Sequence, residues 1–269
     1  MQKDISFLEN RVSAKGSLWK ERVSNSNDVS LLKSDNDIPD LIAKILAGRN
    51  VNPSGVNDFL YPEVNKLLKD PSCLFDLDNG IDCLVSAIKN NETIGILGDY
   101  DVDGATSSSI LKLFLDHYHV KSEIYIPDRL KEGYGPNQAA IDFFYDNGVR
   151  TFITVDCGAT AIDAMDFAHK KGMNAIIIDH HKVDEPLPKC VAHINPSREE
   201  DSSFLDDLAA VGLTFVFIVG LRRAIRTLNL FPEITEPSLK QYLDLVALGT
   251  VCDVVQLKGL NRAFVKEGI

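Results

Sequence analysis

Four short apolar runs, residues 93–98 (TIGILG), 123–127 (EIYIP), 151–155 (TFITV) and 174–178 (NAIII), alternate with stretches 105–119, 136–147 and 160–171. Each intervening stretch is long enough for the crossover helix that joins two parallel strands, and Gly148 and Gly172 close two of them. Strand-prone runs separated by helical text are written for an α/β fold, a doubly wound, mainly parallel sheet. A longer apolar stretch, residues 208–221, turns amphipathic and basic at Arg222, Arg223 and Arg226, and another helix is expected over about 238–248. Both are expected to cover one side or the bottom of the sheet. With 45% apolar residues in 269, the chain can bury a core of that size.

Ahead of the sheet the text is different. Residues 24–40 are rich in Ser, Asn and Asp and read as an exposed connection, while 38–60 read as a helix started at Pro39 and stopped at Gly48, a turn, and a second short helical piece. A small, mainly helical N-terminal lobe is therefore expected over 1–90, with the α/β domain over 91–269. Residues 1–10 mix charges with apolar positions and lack the apolar core of a secretory signal. The stretch 208–221 is shorter than the roughly 20 residues that span a bilayer, so no membrane partner is expected. Cys73, Cys83, Cys157, Cys190 and Cys252 are odd in number and form no Cys-x-x-Cys pair, which fits reduced thiols in a cytoplasmic protein.

Three of the four runs lead directly into aspartate, at Asp99-Tyr100-Asp101-Val102-Asp103-Gly104, at Asp156-Cys157-Gly158 and at Asp179-His180-His181. In an open parallel sheet the C-terminal strand ends line one crevice, so these groups converge although they are far apart in sequence. A single aspartate after a strand is more often a helix N-cap. Several of them with a His-His pair form a hard oxygen and imidazole donor set suited to Mn²⁺ or Mg²⁺, as one or two ions. Two such ions suit hydrolysis of phosphoric esters or anhydrides by water. The sequence carries no GxxxxGK[ST] loop, no GxGxxG and no Ser-His-Asp or Cys-His signature. Lys and Arg number 28 against 39 Asp and Glu, a net charge of −11, which excludes a generally basic, phosphate-coating protein. It does not exclude a polyanion handled at a metal-neutralised site.

The segments GDYDVDGA (98–105), VDCGAT (155–160) and IDHHKV (178–183) resemble the DHH phosphoesterase superfamily. PDRLKEGYGPN (127–137), INPSR (194–198) and LGTVCDVVQLKGLNR (248–262) are similar, more narrowly, to its RecJ-like branch of single-strand-specific 5′→3′ DNA exonucleases. The resemblance runs through nearly the whole chain in order. It implies that Asp101, Asp103, Asp156, His180 and Asp253 are metal ligands with Asp156 as the bridge, and that His181 faces the scissile phosphate. It also implies that Asp99 orients the loop and the ligands, that Arg129 contacts phosphate, and that Asn195 fixes the loop near the metals. Tyr134 and Tyr100 serve either as stacking platforms for bases or as packing. Without the resemblance, Asp253 reads equally well as a helix terminator, and His117, His119, His169 and His193 read as structural.

The function implied is Mn²⁺- or Mg²⁺-dependent hydrolysis of single-stranded DNA in repair and recombination, in a bacterial-type cytoplasm. A single-strand-binding protein or a helicase is the kind of protein partner it leaves open. RecJ-like proteins also carry a second catalytic lobe and an OB-type domain, neither of which lies in these 269 residues. The expectation without them is retained metal binding and weak or absent processive activity. Leu97 stands where the family-II pyrophosphatase branch has a His ligand, which counts against that activity. Two rival readings remain: a DHH phosphodiesterase acting on short oligonucleotides or cyclic dinucleotides, and a non-catalytic nucleic-acid-binding scaffold.

Overall fold

The computed structural model describes residues 12–18, 26–183 and 185–269. The reading of residues 1–10 lies outside them. By its contacts the chain divides into two units, Met1–Pro62 and Glu63–Ile269.

In the first unit, helices α1 (Ser26–Asn36), α2 (Asp40–Ala47) and α3 (Val56–Leu60) enclose a small core of Val29, Leu32, Ala43, Leu46, Ala47 and Val56. The helix α1 occupies text expected to be an exposed connection. Its few apolar residues suffice because Val29 and Leu32 are three apart and share one face, which is buried.

The second unit begins with the one-turn α4 (Val64–Leu67) and with α5 (Leu77–Lys89). Residues 63–90, expected with the N-terminal lobe, pack here instead. Leu77, Ile81, Leu84, Val85 and Ile88 form a buried stripe on α5 that meets the sheet and the long helix α9 (Ala210–Thr227). The sheet comprises β1 (Ile94–Gly98), β2 (Ser122–Tyr125), β3 (Thr151–Val155), β4 (Asn174–Ile178) and β5 (Ala192–Ile194) in the order β2-β1-β3-β4-β5, every pairing parallel. β5 was not foreseen, since three residues are too few to show a pattern.

Alternation along each strand divides the core between the two faces. Ile94, Ile96, Ile153, Val155, Ile176, Ile178 and Ile194 lie on one face with α5, α9 and α6 (Val102–His117). Leu97, Phe152, Ala175 and Ile177 lie on the other with α7 (Gln138–Asp146) and α8 (Ile162–Lys170). Each large side chain buried this way contributes about 1.5–3 kcal/mol. The helices α10 (Leu243–Cys252) and α11 (Gly259–Gly268) complete the unit, α10 packing along α6. No helix of the described residues is long and apolar enough to cross a membrane.

The helix α6 starts earlier than the text suggested because Asp101 caps it, accepting from Gly104 N at 3.0 Å. Asp103 therefore sits on the first helical turn rather than in a loop. That turn lies directly on the backbone of Asp99, and a Cβ at Gly104 would come within 2.5 Å of the Asp99 carbonyl oxygen. Backbone cannot yield as a flexible side chain can. Gly104→Ala should therefore lower stability by roughly 1–3 kcal/mol through overpacking, despite the better helix propensity of Ala. A urea melt followed by circular dichroism checks this, and an unchanged midpoint would contradict it.

Candidate metal centre

The C-terminal ends of β1, β3 and β4 deliver Asp99, Asp156 and Asp179, which are 4%, 2% and 1% exposed. Asp101 and Asp103 follow on the cap and first turn of α6, His180 and His181 follow Asp179, and Asp253 is the C-cap of α10. The residues expected from scattered motifs thus meet in one crevice. His180 is at its centre. Its Nε2 is 3.3 Å from Asp156 Oδ1 and 3.9 Å from Asp103 Oδ2, and its Nδ1 is 3.8 Å from Asp253 Oδ2.

Three overlapping donor sets have their ligand atoms within 4.8 Å of one another: Asp156, His180 and His181; Asp103, His180 and Asp253; and Asp99, Asp101 and Asp156. Asp156 belongs to two of them and can bridge. Asp99, expected to act only by orienting its neighbours, offers an oxygen to the third set. Asp99 Oδ1, His180 Nε2 and Asp253 Oδ2 are buried and have no hydrogen-bond partner among the described residues. Buried polar atoms are rarely left in this state, and several carboxylate oxygens with one imidazole nitrogen match a hard divalent cation. The donor set fits such an ion.

Electrostatics agree with the geometry. Burial pushes the carboxyl of Asp156 far up, and the charges of Asp103, Asp101 and Asp179 push it further. Burial likewise raises Asp99, Asp103 and Asp253. For Asp103 the rise is opposed by the first turn of α9, whose Val211 and Ala210 N–H groups donate to its two oxygens at 2.8 and 2.7 Å. Asp179 behaves differently. Burial acts to raise it, but the His181 imidazole and the N–H groups of Ala159 and His181 outweigh burial and hold it low.

Asp179 has a task that the sequence reading left unassigned. It accepts from His181 Nδ1 at 2.7 Å, which fixes the ring and leaves Nε2 free, and it raises the His181 pKa. A buried acid directly before the His-His pair was the available signal. Asn195, expected to fix the loop, is fully buried. Its Nδ2 donates to the His181 carbonyl at 2.9 Å and its Oδ1 accepts from Ser197 N. Ser197 Oγ, unassigned by the motifs, holds the His180 carbonyl at 3.1 Å.

Arg129 and Tyr134 are exposed and are linked to the site residues by ring contacts. The Arg129 guanidinium is 4.9 Å from the Tyr100 ring centroid, Tyr100 meets Tyr134 edge-on at 6.5 Å, and Tyr134 meets His181 at 6.0 Å. The Tyr134 hydroxyl donates to the Asp156 carbonyl at 3.1 Å, so its ring rather than its polar end is available to a ligand. The thiol of Cys157 is pushed well up by burial, which removes it as a nucleophile.

Residues 93–250 match the DHH family, N-terminal domain. The chain belongs to the DHH family. Among curated proteins it is 34% identical over 211 residues to the single-stranded-DNA-specific exonuclease RecJ of Haemophilus influenzae, covering 77% of this chain and 37% of that protein. It is 33% identical over 238 residues to RecJ of Dickeya dadantii, covering 86% of this chain and 40% of the relative. The chain thus spans less than half of the curated DHH relatives it matches. A crystal structure of the exonuclease RecJ bound to manganese superposes with a TM-score of 0.63 at 30% identity, over 72% of this chain and 47% of that one. RecJ of Thermus thermophilus in complex with Mn²⁺ gives 0.71 at 23% identity, over 91% of this chain and 33% of that one, a likeness of fold.

The raised carboxyls set a pH dependence. A carboxyl whose folded pKa lies above its unfolded value lets the folded state hold extra protons, so stability falls as pH rises above the ordinary carboxylate range. His181, also raised, loses its contribution in the same direction as pH passes its folded pKa. Asp179, held low, acts oppositely, but only below about pH 4, near the ordinary aspartate value. Without divalent ions, the urea midpoint should therefore fall between about pH 5 and about pH 8. Asp156→Asn should flatten that fall, and an equal slope in parent and variant would refute the account.

Proposed function

We propose that this DHH chain is the catalytic core of a metal-dependent exonuclease that hydrolyses phosphodiester bonds of single-stranded DNA from the 5′ end. The observation that carries the reading is the set of buried donor atoms left without partners at the convergence of three strand ends. Similarity to RecJ proteins, named as single-stranded-DNA-specific exonucleases, supports the substrate, and the direction of cleavage rests on that similarity alone. Asp101, Asp103, Asp156, His180 and Asp253 are the ligands assigned to Mn²⁺ or Mg²⁺, with Asp156 shared and Asp99 completing the set.

Bound divalent ions would lower the pKa of a water molecule and neutralise charge gathering on the phosphoryl oxygens. The chain's own residues do the rest. His181, its ring held through Nδ1 by Asp179, has Nε2 left to donate a hydrogen bond to a phosphate oxygen when the ring is protonated. Arg129 offers a guanidinium fork to a neighbouring phosphate, and its planar N–H pairs match two oxygens of one phosphate. The rings of Tyr100 and Tyr134 give a base a face to stack on, a contact worth about 1–3 kcal/mol and tolerant of sequence. Repair and recombination in a bacterial-type cytoplasm is the setting this reading assigns, with a single-strand-binding protein or a helicase as partner.

The test is release of mononucleotides from a 5′-labelled single strand in Mn²⁺, run beside Asp156→Ala and beside the same strand annealed to its complement. Expected are Mn²⁺-dependent release, slower attack on the duplex, and a loss of at least ~100-fold in Asp156→Ala, the size that changes around metal ligands already reach. Equal cutting of both substrates would remove the single-strand assignment. Cleavage of short dinucleotides in preference to longer strands would replace it with a small-substrate phosphodiesterase.

A further inference from the structure

The wall of the crevice that carries Arg129 and Tyr134 is built on an exposed segment. Arg129, Leu130 and Lys131 are exposed, Leu130 at 94%, and Gly133 and Gly135 on either side of Tyr134 take left-handed conformations at φ +84° and +74°. Such a segment has many conformations open to it, and a phosphate contact made from it loses affinity to the ordering of the chain. One side chain closes it.

Glu132 Oε1 accepts from the backbone N–H of Asp128 at 2.9 Å, while Asp128 Oδ1 accepts from Leu130 N at 2.9 Å and the Asp128 carbonyl from Glu132 N at 2.7 Å. Residues 128–132 are thereby tied into one closed turn with Arg129 inside it. The other carboxylate oxygen reaches out of the turn. Glu132 Oε2 accepts from the Tyr125 hydroxyl at 2.6 Å, at the end of β2, and from Asn137 Nδ2 at 3.3 Å. Asn137 is the cap of α7, its Oδ1 accepting from Ala140 N. One carboxylate therefore joins the turn to the strand before it and the helix after it. The charged bond is strong enough to hold the Glu132 carboxyl below its usual range and to push the Tyr125 phenol up to about 12.

We infer that Glu132 is the positioning residue for the substrate wall, a carboxylate that touches no reacting atom and pre-orders the turn presenting Arg129 and the adjoining Tyr134 to nucleic acid. The inference rests on the reading of the crevice as a single-strand nuclease. It separates Glu132 from the acidic residues of the metal set, because Glu132 belongs to none of the three donor sets and its oxygens are held by the turn, by Tyr125 and by Asn137.

The experiment compares parent, Glu132→Ala, Glu132→Gln, Arg129→Ala and the double variant Glu132→Ala/Arg129→Ala. Steady-state kinetics on a 5′-phosphorylated single strand is the first readout, and Mn²⁺ affinity, from free-ion electron paramagnetic resonance, is the second. Glu132→Ala should raise KM about 10-fold with kcat within about 2-fold, since misplacing a positioning group weakens binding of the substrate it serves. Mn²⁺ affinity should be unchanged. In the Arg129→Ala background the substitution should add much less than it does alone, because the turn that Glu132 closes, residues 128–132, carries Arg129 as its phosphate contact. Glu132→Gln should restore part of the affinity, since its amide oxygen still accepts from Asp128 N and the Tyr125 hydroxyl can turn to accept from its NH₂, while the bond from Asn137 Nδ2 is lost.

A parental KM in Glu132→Ala, or independent, multiplying effects of the two substitutions, would overturn the inference while leaving the nuclease reading intact. A loss of Mn²⁺ affinity in Glu132→Ala would overturn it too, by placing the residue with the metal set. A parent that neither binds nor cuts single strands would overturn the functional reading and this inference with it.

Discussion

Mutual repulsion among buried carboxylates governs the architecture at the C-terminal end of the sheet. Two unit charges about 4 Å apart interact with roughly 4 kcal/mol at an effective dielectric near 20, and Asp156 stands in the fields of Asp103, Asp101 and Asp179 at once. The protein relieves part of this itself. Asp179 gathers the N–H groups of Ala159, His180 and His181 together with an imidazole, and Asp103 gathers the first turn of α9. Fixed dipoles hold Asp179 low and oppose the rise that burial imposes on Asp103. Asp99 Oδ1 and Asp253 Oδ2 receive no donor among the described residues, and their charge is left to a mobile cation. The crevice thus holds carboxylates that the fold itself supplies with donors beside carboxylate oxygens that have none among the described residues.

Holding that division in place costs backbone strain on both sides of His180. Asp156 and Val254 both sit at φ 62°, and for a β-branched residue the left-handed region is costly, on the order of 1–2 kcal/mol. At Asp156 the twist turns the carboxylate into the crevice, and the bonds from Asp156 N to the Ile178 carbonyl and from the Tyr134 hydroxyl to the Asp156 carbonyl keep it there. At Val254 the turn follows directly on Asp253, the C-cap of α10. Strain at Asp156 and beside Asp253, two of the three carboxylates around His180, is what a site built for a ligand, rather than for the free protein, is expected to carry.

Much of this was legible in the sequence. The apolar runs gave four of the five strands nearly to the residue, because parallel strands buried on both faces are continuous apolar text bounded by turns. The aspartates that end three of them converge as the topology requires. What stayed hidden is what depends on long-range packing. β5 is three residues long and exists only because β4 offers it an edge. The helix α5 reads as part of a separate helical lobe until α9 and β5 cover its stripe. Within the site, the capping of α9 by Asp103 links residues more than a hundred positions apart, and no local motif encodes it. Glu132 was visible only as one letter of a quoted segment, since what sets it apart is the group it holds.

A net charge of −11 and a polyanionic substrate look incompatible until the range of the forces is considered. Beyond about 8 Å at physiological salt, the repulsion between strand and protein is largely screened. Attraction has then to be local, from an ion in the carboxylate set and from the Arg129 fork beside it. This couples the two ligands: a cation raises the affinity for phosphate, and phosphate raises the affinity for the cation by the same factor. Such coupling lets an acidic surface discriminate. On the proposed reading, a strand held along the outside would gain nothing, whereas a terminus at the crevice would meet the ion, His181 and the Tyr100–Tyr134 pair together. On that reading the acidic surface supplies no competing attraction, so selectivity rests on the one place where an ion and a guanidinium would meet a phosphate together.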